Sequence, residues 1–377
     1  MSNQVFITKT ASFLPNFPVG NDEMEDYLGK VGGKPSRVKN IILRQNGIKT
    51  RYYALDKSGQ ITHTNARMAA EAIRTLLRGM GKERVEVLTC GSSTPDQMLP
   101  SQASMVHGEA FDYPLETFSL AGVCLSGVAA LKTAFMSVAS GNSRNAVCST
   151  SELVSPLMLS KFFEEEYSKL IQMEQNPILA FEKDFLRFML SDGAAAVFLS
   201  DRPAGEKSLE IKWVDTVSYA NRQPACMYMW ADYTPEGRFQ SWKEFSAKDI
   251  GERSVWCIKQ NVKLLNEFGV PYFAESVKDA LGRHHLDPES VRYVIPHISS
   301  MYFYGRLADS LKEKGVDLPT ERWFTNLPTV GNIGSVSAYA ALDELVRTKP
   351  LEKGDRILLL VPESGRFSYG TVLLRVC

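Results

Sequence analysis

Residues 119–141, SLAGVCLSGVAALKTAFMSVASG, change from a strand-like pattern to a helical one within a few positions. Gly122 permits a sharp turn after the strand, and apolar residues then recur at helical spacing until Gly141 ends the segment. A buried strand that leads directly into a helix is the basic unit of α/β proteins. The segment therefore predicts a strand–turn–helix unit with Cys124 at the turn.

The same alternation of short apolar runs and amphipathic stretches continues on both sides, which predicts an α/β fold. In the first half the expected strands are 4–13, 85–93, 116–122, 144–152 and 193–201, and the expected helices are 64–81 and 125–141. In the second half the expected strands are 209–220, 291–299, 322–326, 355–364 and 369–376, and the expected helices are 259–285, 301–315 and 335–347.

A chain of 377 residues is long for a single core, and its two halves repeat one order of elements. We therefore predict a duplicated fold with an N-terminal half, 1–205, that carries Cys124, and a C-terminal half, 206–377. Residues 152–190 and 220–260 are expected to be insertions over the core. Their apolar side chains either line a substrate tunnel or pack on the sheet.

Composition excludes several classes of protein. Lys+Arg and Asp+Glu both number 43, so the chain lacks the basic excess of a general nucleic-acid binder. No apolar run approaches the ~20 residues of a membrane span, and no signal-peptide pattern is present. The six cysteines are scattered without a CxxC pair, and the five histidines show no metal spacing. We expect a cytoplasmic protein with no metal site and no membrane association.

Cys124 is the first candidate for chemistry. The positive end of a helix dipole is expected to lower the thiol pKa and favour a nucleophilic thiolate. Cysteine is also among the most buried residue types, so a purely structural role stays open.

Three further candidates follow in sequence. His297 comes after a buried strand, Asn332 stands in a glycine-bracketed turn before a helix, and Gly365 lies between the last two strands. Each has an ordinary structural explanation, as a strand-end histidine, a turn residue or a hairpin glycine. The order of Cys124, His297, Asn332 and Gly365 is more specific than any one of them.

Several motifs together resemble the thiolase superfamily and, within it, the β-ketoacyl-acyl-carrier-protein synthase III branch. The resemblance covers nearly the whole chain. It is carried by NGIKTRYYALD (46–56), TPDQMLPSQASMVHGEAF (94–111), LSDGAAAVFLS (190–200), VIPHIS (294–299), TVGNIGSVSAYAALDE (329–344) and GDRILLLVPESGRFSYGTVLLRV (354–376).

The resemblance implies a five-layered αβαβα fold with two similar halves, normally assembled as a homodimer. It implies that Cys124 is acylated, that His297 and Asn332 handle the second substrate, and that the N–H groups of Cys124 and Gly365 form an oxyanion hole. A malonyl or β-ketoacyl thioester would then give a new carbon–carbon bond. The substrates would be thioesters of coenzyme A or acyl carrier protein, and no metal or redox cofactor is expected.

The chain also departs from the family pattern. Leu125 separates Cys124 from Ser-Gly, and the usually neutral glycine turn carries Glu363 and Arg366. Together with Arg44, near the place of a family arginine, these charged residues are candidate substrate-binding groups. The departures favour a condensing enzyme of specialised metabolism, such as one that forms cyclohexanediones or dialkylresorcinols.

Other functions remain open at this point. They are a synthase III that initiates fatty acids, an acyltransferase, a 3-hydroxy-3-methylglutaryl-type synthase with Asp96 as a candidate base, and a silent partner subunit. A silent subunit usually lacks the cysteine or the histidine, whereas this chain keeps Cys124, His297 and Asn332.

Overall fold

The computed structural model describes residues 3–80, 84–164, 184–205 and 207–377. Its strands are β1 Phe6–Phe13, β2 Val19–Gly20, β3 Thr50–Arg51, β4 Val87–Ser92, β5 Glu116–Ala121, β6 Asn145–Glu152, β7 Gly193–Ser200, β8 Leu209–Ser218, β9 Met227–Tyr228, β10 Ala231–Tyr233, β11 Phe239–Ser241, β12 Lys259–Gln260, β13 Tyr293–Pro296, β14 Arg356–Glu363 and β15 Ser368–Val376. Its helices are α1 Met24–Leu28, α2 Lys39–Asn46, α3 Asn65–Leu77, α4 Gln102–Ala110, α5 Ser126–Ala139, α6 Ala247–Glu252, α7 Val262–Leu264, α8 Val270–Arg283, α9 Tyr304–Glu313, α10 Leu327–Val330 and α11 Ser337–Thr348.

Nine strands form the central sheet in the order β13-β14-β15-β8-β1-β7-β6-β4-β5. From β1 outward, β7 and β6 each pair antiparallel with the preceding strand, and β4 and β5 then follow in parallel. From β8 outward, β15 and β14 pair antiparallel and β13 follows in parallel. The two series thus share one pattern of strand directions, and the β1–β8 pairing joins them.

Alternation of side chains along the strands separates the helices into layers. In β14, Ile357 and Leu359 pack in the same cluster as α5 and α11, whereas Leu358 and Leu360 pack in the cluster of α8 and α9. Strand β7 alternates in the same way between the α5–α11 cluster and the cluster of α3 and α4. Because successive side chains of a strand point to opposite faces, α5 and α11 lie between the two parts of the sheet. The predicted five-layered α/β fold is confirmed.

The structure corrects two expected elements. Residues 259–285 were expected to be one helix, but Lys259–Gln260 pairs with β9 as β12, and a π-helical turn, Leu265–Gly269, separates α7 from α8. The Asn261 side chain accepts a hydrogen bond from the Leu264 N–H, which explains why the helix begins only at Val262. The expected strand 322–326 is reduced to a single bridge between Val294 and Trp323.

Two other expectations reach beyond the described residues. The predicted C-terminal half begins at residue 206, which lies outside the described residues. The predicted insertion 152–190 contains residues 165–183, which also lie outside them. The described part of the chain contains no helix that is long and apolar enough to cross a membrane.

Gly91, in β4, permits the close contact between this strand and the start of α5. A Cβ atom there would collide with the backbone carbonyl of Ser126. Gly91→Ala is therefore expected to destabilise the protein by about 3 kcal/mol, because backbone cannot move away as a flexible side chain can. The midpoint of thermal unfolding measures this.

Gly108→Ala is the matched control, because nothing lies within 4 Å of a Cβ at this position in α4. It is expected to leave stability unchanged or to raise it by up to about 1 kcal/mol through helix propensity. Equal midpoints for the two variants would contradict the proposed packing.

Candidate active site

Cys124 lies between the end of β5 and the start of α5, in the strand–turn–helix unit expected from the sequence. Its side chain is buried, with 7% of the residue exposed. The turn is closed by hydrogen bonds from the Ser126 N–H and O–H to the Val123 carbonyl, at 3.1 and 2.9 Å. The geometry fixes the cysteine at the N-terminal end of a buried helix.

His297 follows β13 directly and shares a cavity with Cys124. Its backbone N–H donates to the Leu360 carbonyl at 2.7 Å, which extends the pairing of β13 with β14. Both strands therefore bring their carboxyl ends to the cavity, where functional groups collect in α/β folds.

Burial lowers the pKa of His297 to about 4, so its imidazole is neutral at pH 7. The Nδ1 atom is buried and has no hydrogen-bond partner among the described residues. Because an unpaired buried donor is costly, the neutral ring is best accommodated with its proton on Nε2. That nitrogen then acts as a hydrogen-bond donor.

The wall of the cavity is predominantly apolar. The π-helical turn contributes Leu265 and Gly269, and the Tyr369 hydroxyl donates to the Gly269 carbonyl at 3.0 Å. Such turns are frequent at functional sites. The apolar side chains that line the space are Leu265, Val270, Ile298, Phe303, Leu307 and Tyr369. This lining suits an acyl chain, whose transfer from water is driven by burial of apolar surface.

The electrostatics of Cys124 differ from the expectation. We expected the helix dipole to lower the thiol pKa, but burial, together with the carboxylates of Glu363 and Glu152, raises it well above its ordinary value. Glu363 Oε2 accepts hydrogen bonds from the N–H groups of Val123 and Leu125, both at 3.0 Å. This carboxylate compensates the positive end of α5, so the resting cysteine is a thiol.

This reversal predicts how Cys124 reacts with iodoacetamide. Alkylation at neutral pH is expected to be slow, because only the thiolate reacts. The rate should increase at higher pH than it does for an ordinary cysteine. Glu363→Gln removes a nearby negative charge and should move the profile to lower pH. Peptide mapping of Cys124 across a pH series measures both effects. An ordinary thiol profile in the unmodified protein would contradict the assignment.

Asn332 lies in a buried turn, and both its backbone N–H and its backbone carbonyl form hydrogen bonds. Its backbone N–H donates to the Met189 carbonyl, and its carbonyl accepts from the Ser191 N–H. Its Oδ1 accepts from the Gly334 N–H at 3.0 Å, whereas Nδ2 makes no hydrogen bond to the described residues. The amide thus has a donor to offer, although Asn332 is not among the residues that line the cavity.

Glu152, which the sequence analysis did not identify, holds this turn in place. Its carboxylate accepts hydrogen bonds from the hydroxyls of Ser335, Ser93 and Thr94 at 2.5, 2.6 and 2.8 Å. Burial raises its pKa, and these hydrogen bonds oppose that shift. Its sequence signal is a glutamate at the end of a fully buried strand, β6, where a charge needs dedicated partners.

Gly365 lies in the turn between β14 and β15, beside the cysteine turn. A Cβ on Gly365 would be 2.8 Å from Val123 Cγ2, so glycine permits this close approach. The structure therefore brings the Gly365 turn against the residue before Cys124.

The remaining predicted site residues are Arg44, Glu363, Arg366 and Asp96. Arg44 is exposed on α2, and Arg366 is exposed and donates to the Gln223 carbonyl at 3.0 Å; neither lines the cavity, whereas Glu363 does. The two carboxylate oxygens of Asp96 accept hydrogen bonds from the N–H groups of Asn65 and Ala66 at the start of α3.

Comparisons with known proteins point to one family. Residues 281–376 match the family described as 3-oxoacyl-[acyl-carrier-protein] synthase III C terminal. A β-ketoacyl-[acyl-carrier-protein] synthase III of Clostridium perfringens is 23% identical over 366 residues, which cover 97% of each chain.

Solved structures agree in fold. The tetronic acid condensing enzyme AbyA1 has a TM-score of 0.73 at 20% identity, covering 98% of this chain and 99% of its own. OleA of Xanthomonas campestris, solved with lauric acid and lauroyl-CoA, has a TM-score of 0.73 at 19% identity and covers both chains fully. Residues 281–376 thus match the synthase III C-terminal family, and the chain as a whole shares its fold with these condensing enzymes.

Proposed function

We propose that the chain is an acyltransferase that is acylated on Cys124 and then forms a carbon–carbon bond with a malonyl or β-ketoacyl thioester. The observation that carries this proposal is the common cavity of Cys124 and His297, which has apolar walls and lies at the ends of two sheet strands and the start of α5. The proposed reaction needs no metal or redox cofactor.

In the first half-reaction, Cys124 Sγ bonds to the carbonyl carbon of an acyl thioester. The bond from that carbon to the carrier sulfur breaks, and the cysteine proton leaves with the carrier thiol. The N–H groups of Cys124 and Gly365 are proposed to stabilise the tetrahedral oxyanion, a role supported by the close approach of the Gly365 turn to Val123.

In the second half-reaction, His297 and Asn332 are proposed to donate hydrogen bonds to the enolate of the second thioester. A neutral histidine and an amide suit this role, because both donate without holding a competing positive charge. The enolate forms when a malonyl thioester loses carbon dioxide or a β-ketoacyl thioester loses a Cα proton. Its carbon attacks the acyl group on Cys124, a carbon–carbon bond forms, the carbon–sulfur bond to the enzyme breaks, and the cysteine sulfur takes up a proton.

The substrates are proposed to be coenzyme A or acyl-carrier-protein thioesters, and the product to be a specialised metabolite of the cyclohexanedione or dialkylresorcinol type. The charged turn at Glu363 supports a substrate more polar than a simple acyl chain. Initiation of fatty-acid synthesis is the second candidate, because the curated relative carries that synthase's name. A panel of acyl, malonyl and β-ketoacyl thioesters, with products identified by mass spectrometry, separates the two.

A homodimer is proposed on the basis of β5. This strand lies at one edge of the central sheet, and most of its side chains are exposed, Phe118 among them. Unpaired edge strands readily pair with another chain. Pairing of β5 with a second copy would bury this edge immediately before Cys124, and light scattering should then give twice the 42.1 kDa of one chain.

The scattered cysteines support a cytoplasmic location.

Intact-protein mass spectrometry after incubation with an acyl thioester tests the proposed function. An increase by the mass of one acyl group, mapped to the peptide that contains Cys124, is expected. An unmodified protein, or an adduct on another residue, would contradict the proposal.

A further inference from the structure

Glu363 is the carboxylate that lines the cavity of Cys124 and His297. It is the last residue of β14 and pairs with Ser368 of β15, so its backbone is fixed by the hairpin. One oxygen, Oε2, is held at 3.0 Å from each of the N–H groups on either side of Cys124. These bonds orient the carboxylate toward the nucleophile.

The second oxygen remains available for chemistry. Glu363 Oε1 accepts no hydrogen bond from the described residues, and no salt bridge within the described ranges involves Glu363. Glu363 lines the cavity together with Cys124 and His297. Because the attacking carbon of a second substrate must reach the acyl group on Cys124, it must also come close to this carboxylate.

Two consequences follow from a half-buried carboxylate that has one oxygen without a hydrogen bond from the described residues. It repels a second carboxylate, such as that of a malonyl thioester, because like charges interact strongly away from bulk water. It also accepts protons readily, because burial raises its pKa. The first effect disfavours one proposed substrate, and the second favours one that must lose a proton.

We propose that Glu363 is the catalytic base that removes the Cα proton of a β-ketoacyl thioester and that it selects this substrate over a malonyl thioester. This rests on the proposed function and narrows its substrate class. A β-ketoacyl thioester has no carboxylate, and its Cα protons are acidified by two carbonyl groups.

The step balances without a further reagent. Glu363 takes the Cα proton, and the electron pair of the broken C–H bond becomes the enolate. The enolate carbon bonds to the acyl carbon, and the bond from that carbon to Cys124 Sγ breaks with its electron pair on sulfur. The protonated Glu363 returns its proton to this thiolate, which regenerates the thiol and the carboxylate. No carbon dioxide is released.

The experiment compares the unmodified protein with Glu363→Gln, which keeps the shape and one acceptor oxygen but removes the charge. Cys124 is first loaded from an acyl thioester, and acetoacetyl or malonyl thioester is then added. Acylation is followed by intact mass, condensation by product mass, and decarboxylation by release of labelled carbon dioxide. Glu352→Gln removes an exposed carboxylate away from the cavity and controls for the change in net charge.

The unmodified protein should condense the acetoacetyl thioester at least about tenfold faster than the malonyl thioester. Glu363→Gln should still be acylated but lose about 10²–10⁴-fold in acetoacetyl condensation, while malonyl condensation is kept or rises. A mainly structural role would not invert the substrate preference.

Equal rates of acetoacetyl condensation in the two proteins, or a preference of the unmodified protein for malonyl thioester, would overturn the assignment of Glu363. Absence of an acyl adduct in the unmodified protein would instead overturn the proposed function itself. Loss of acylation in Glu363→Gln, with folding intact by circular dichroism, would also overturn the assignment, because it would place Glu363 in the first half-reaction.

Discussion

Cys124→Ala should abolish acylation and condensation together, with turnover reduced on the order of 10⁶-fold, as when a covalent nucleophile is removed from an enzyme. Cys124 is the cysteine of the apolar cavity, and its position is fixed by the turn into α5. The side chain is small and nearly buried, so its replacement by alanine should leave the fold unchanged. Turnover of a thioester pair and the intact mass after acyl loading measure the two effects.

Cys148→Ala is the matched control. Cys148 is fully buried, but it lies in β6 and contacts the Tyr339 hydroxyl instead of the cavity. The Cys148→Ala variant should be acylated to the same extent as the unmodified protein, with at most a modest loss of stability. An acyl adduct that persists in Cys124→Ala would show that another residue is the nucleophile.

His297→Ala and Asn332→Ala should separate the half-reactions. Both variants are expected to form the acyl-enzyme at near-normal rates and to lose about 10²–10³-fold in condensation, the usual cost of losing one donor to a developing oxyanion. The reason is that the neutral imidazole and the amide are proposed to donate hydrogen bonds to the enolate, which in the proposed reaction is needed only after Cys124 has been loaded. Single-turnover measurements of each step test this.

His285→Ala controls for general effects of losing a histidine, since His285 is exposed after α8. Its rates should match those of the unmodified protein in both steps. If His297→Ala or Asn332→Ala condensed normally, or failed already at acylation, the assigned roles would be wrong. The Asn332 variant is the more informative of the two, because this residue does not line the cavity.

Periodicity predicted most of the fold, for a clear physical reason. The strands and α5 are decided by local patterns of buried side chains, and these patterns are strong where an element is buried on both faces, as β6 and β7 are. The pattern of side chains in the sequence predicted strands less well where a strand pairs over only one or two residues. Trp323 makes only one bridge, and residues 259–260 form a strand because β9 lies beside them, which no local signal reveals.

Three of the candidate residues, Cys124, His297 and Glu363, line one cavity, but the electrostatics of this site could not be predicted from the sequence. A cysteine before a helix indicates a lowered thiol pKa, but the structure places Glu363, which is 239 residues further along the chain, on the N–H groups of that turn. Only the β14–β15 hairpin brings this carboxylate there. Glu152 was missed for a similar reason, since its partners Ser93, Thr94 and Ser335 come from distant parts of the chain.

Condensation of two differently labelled thioesters tests the central claim most directly. One acyl thioester and one malonyl or β-ketoacyl thioester, each with its own carbon isotope, are incubated with the unmodified protein, and the products are analysed by mass spectrometry. The account predicts one product that contains both labels joined by a new carbon–carbon bond, and none with Cys124→Ala. Hydrolysis or simple exchange of the acyl group, with no product that carries both labels, would contradict it.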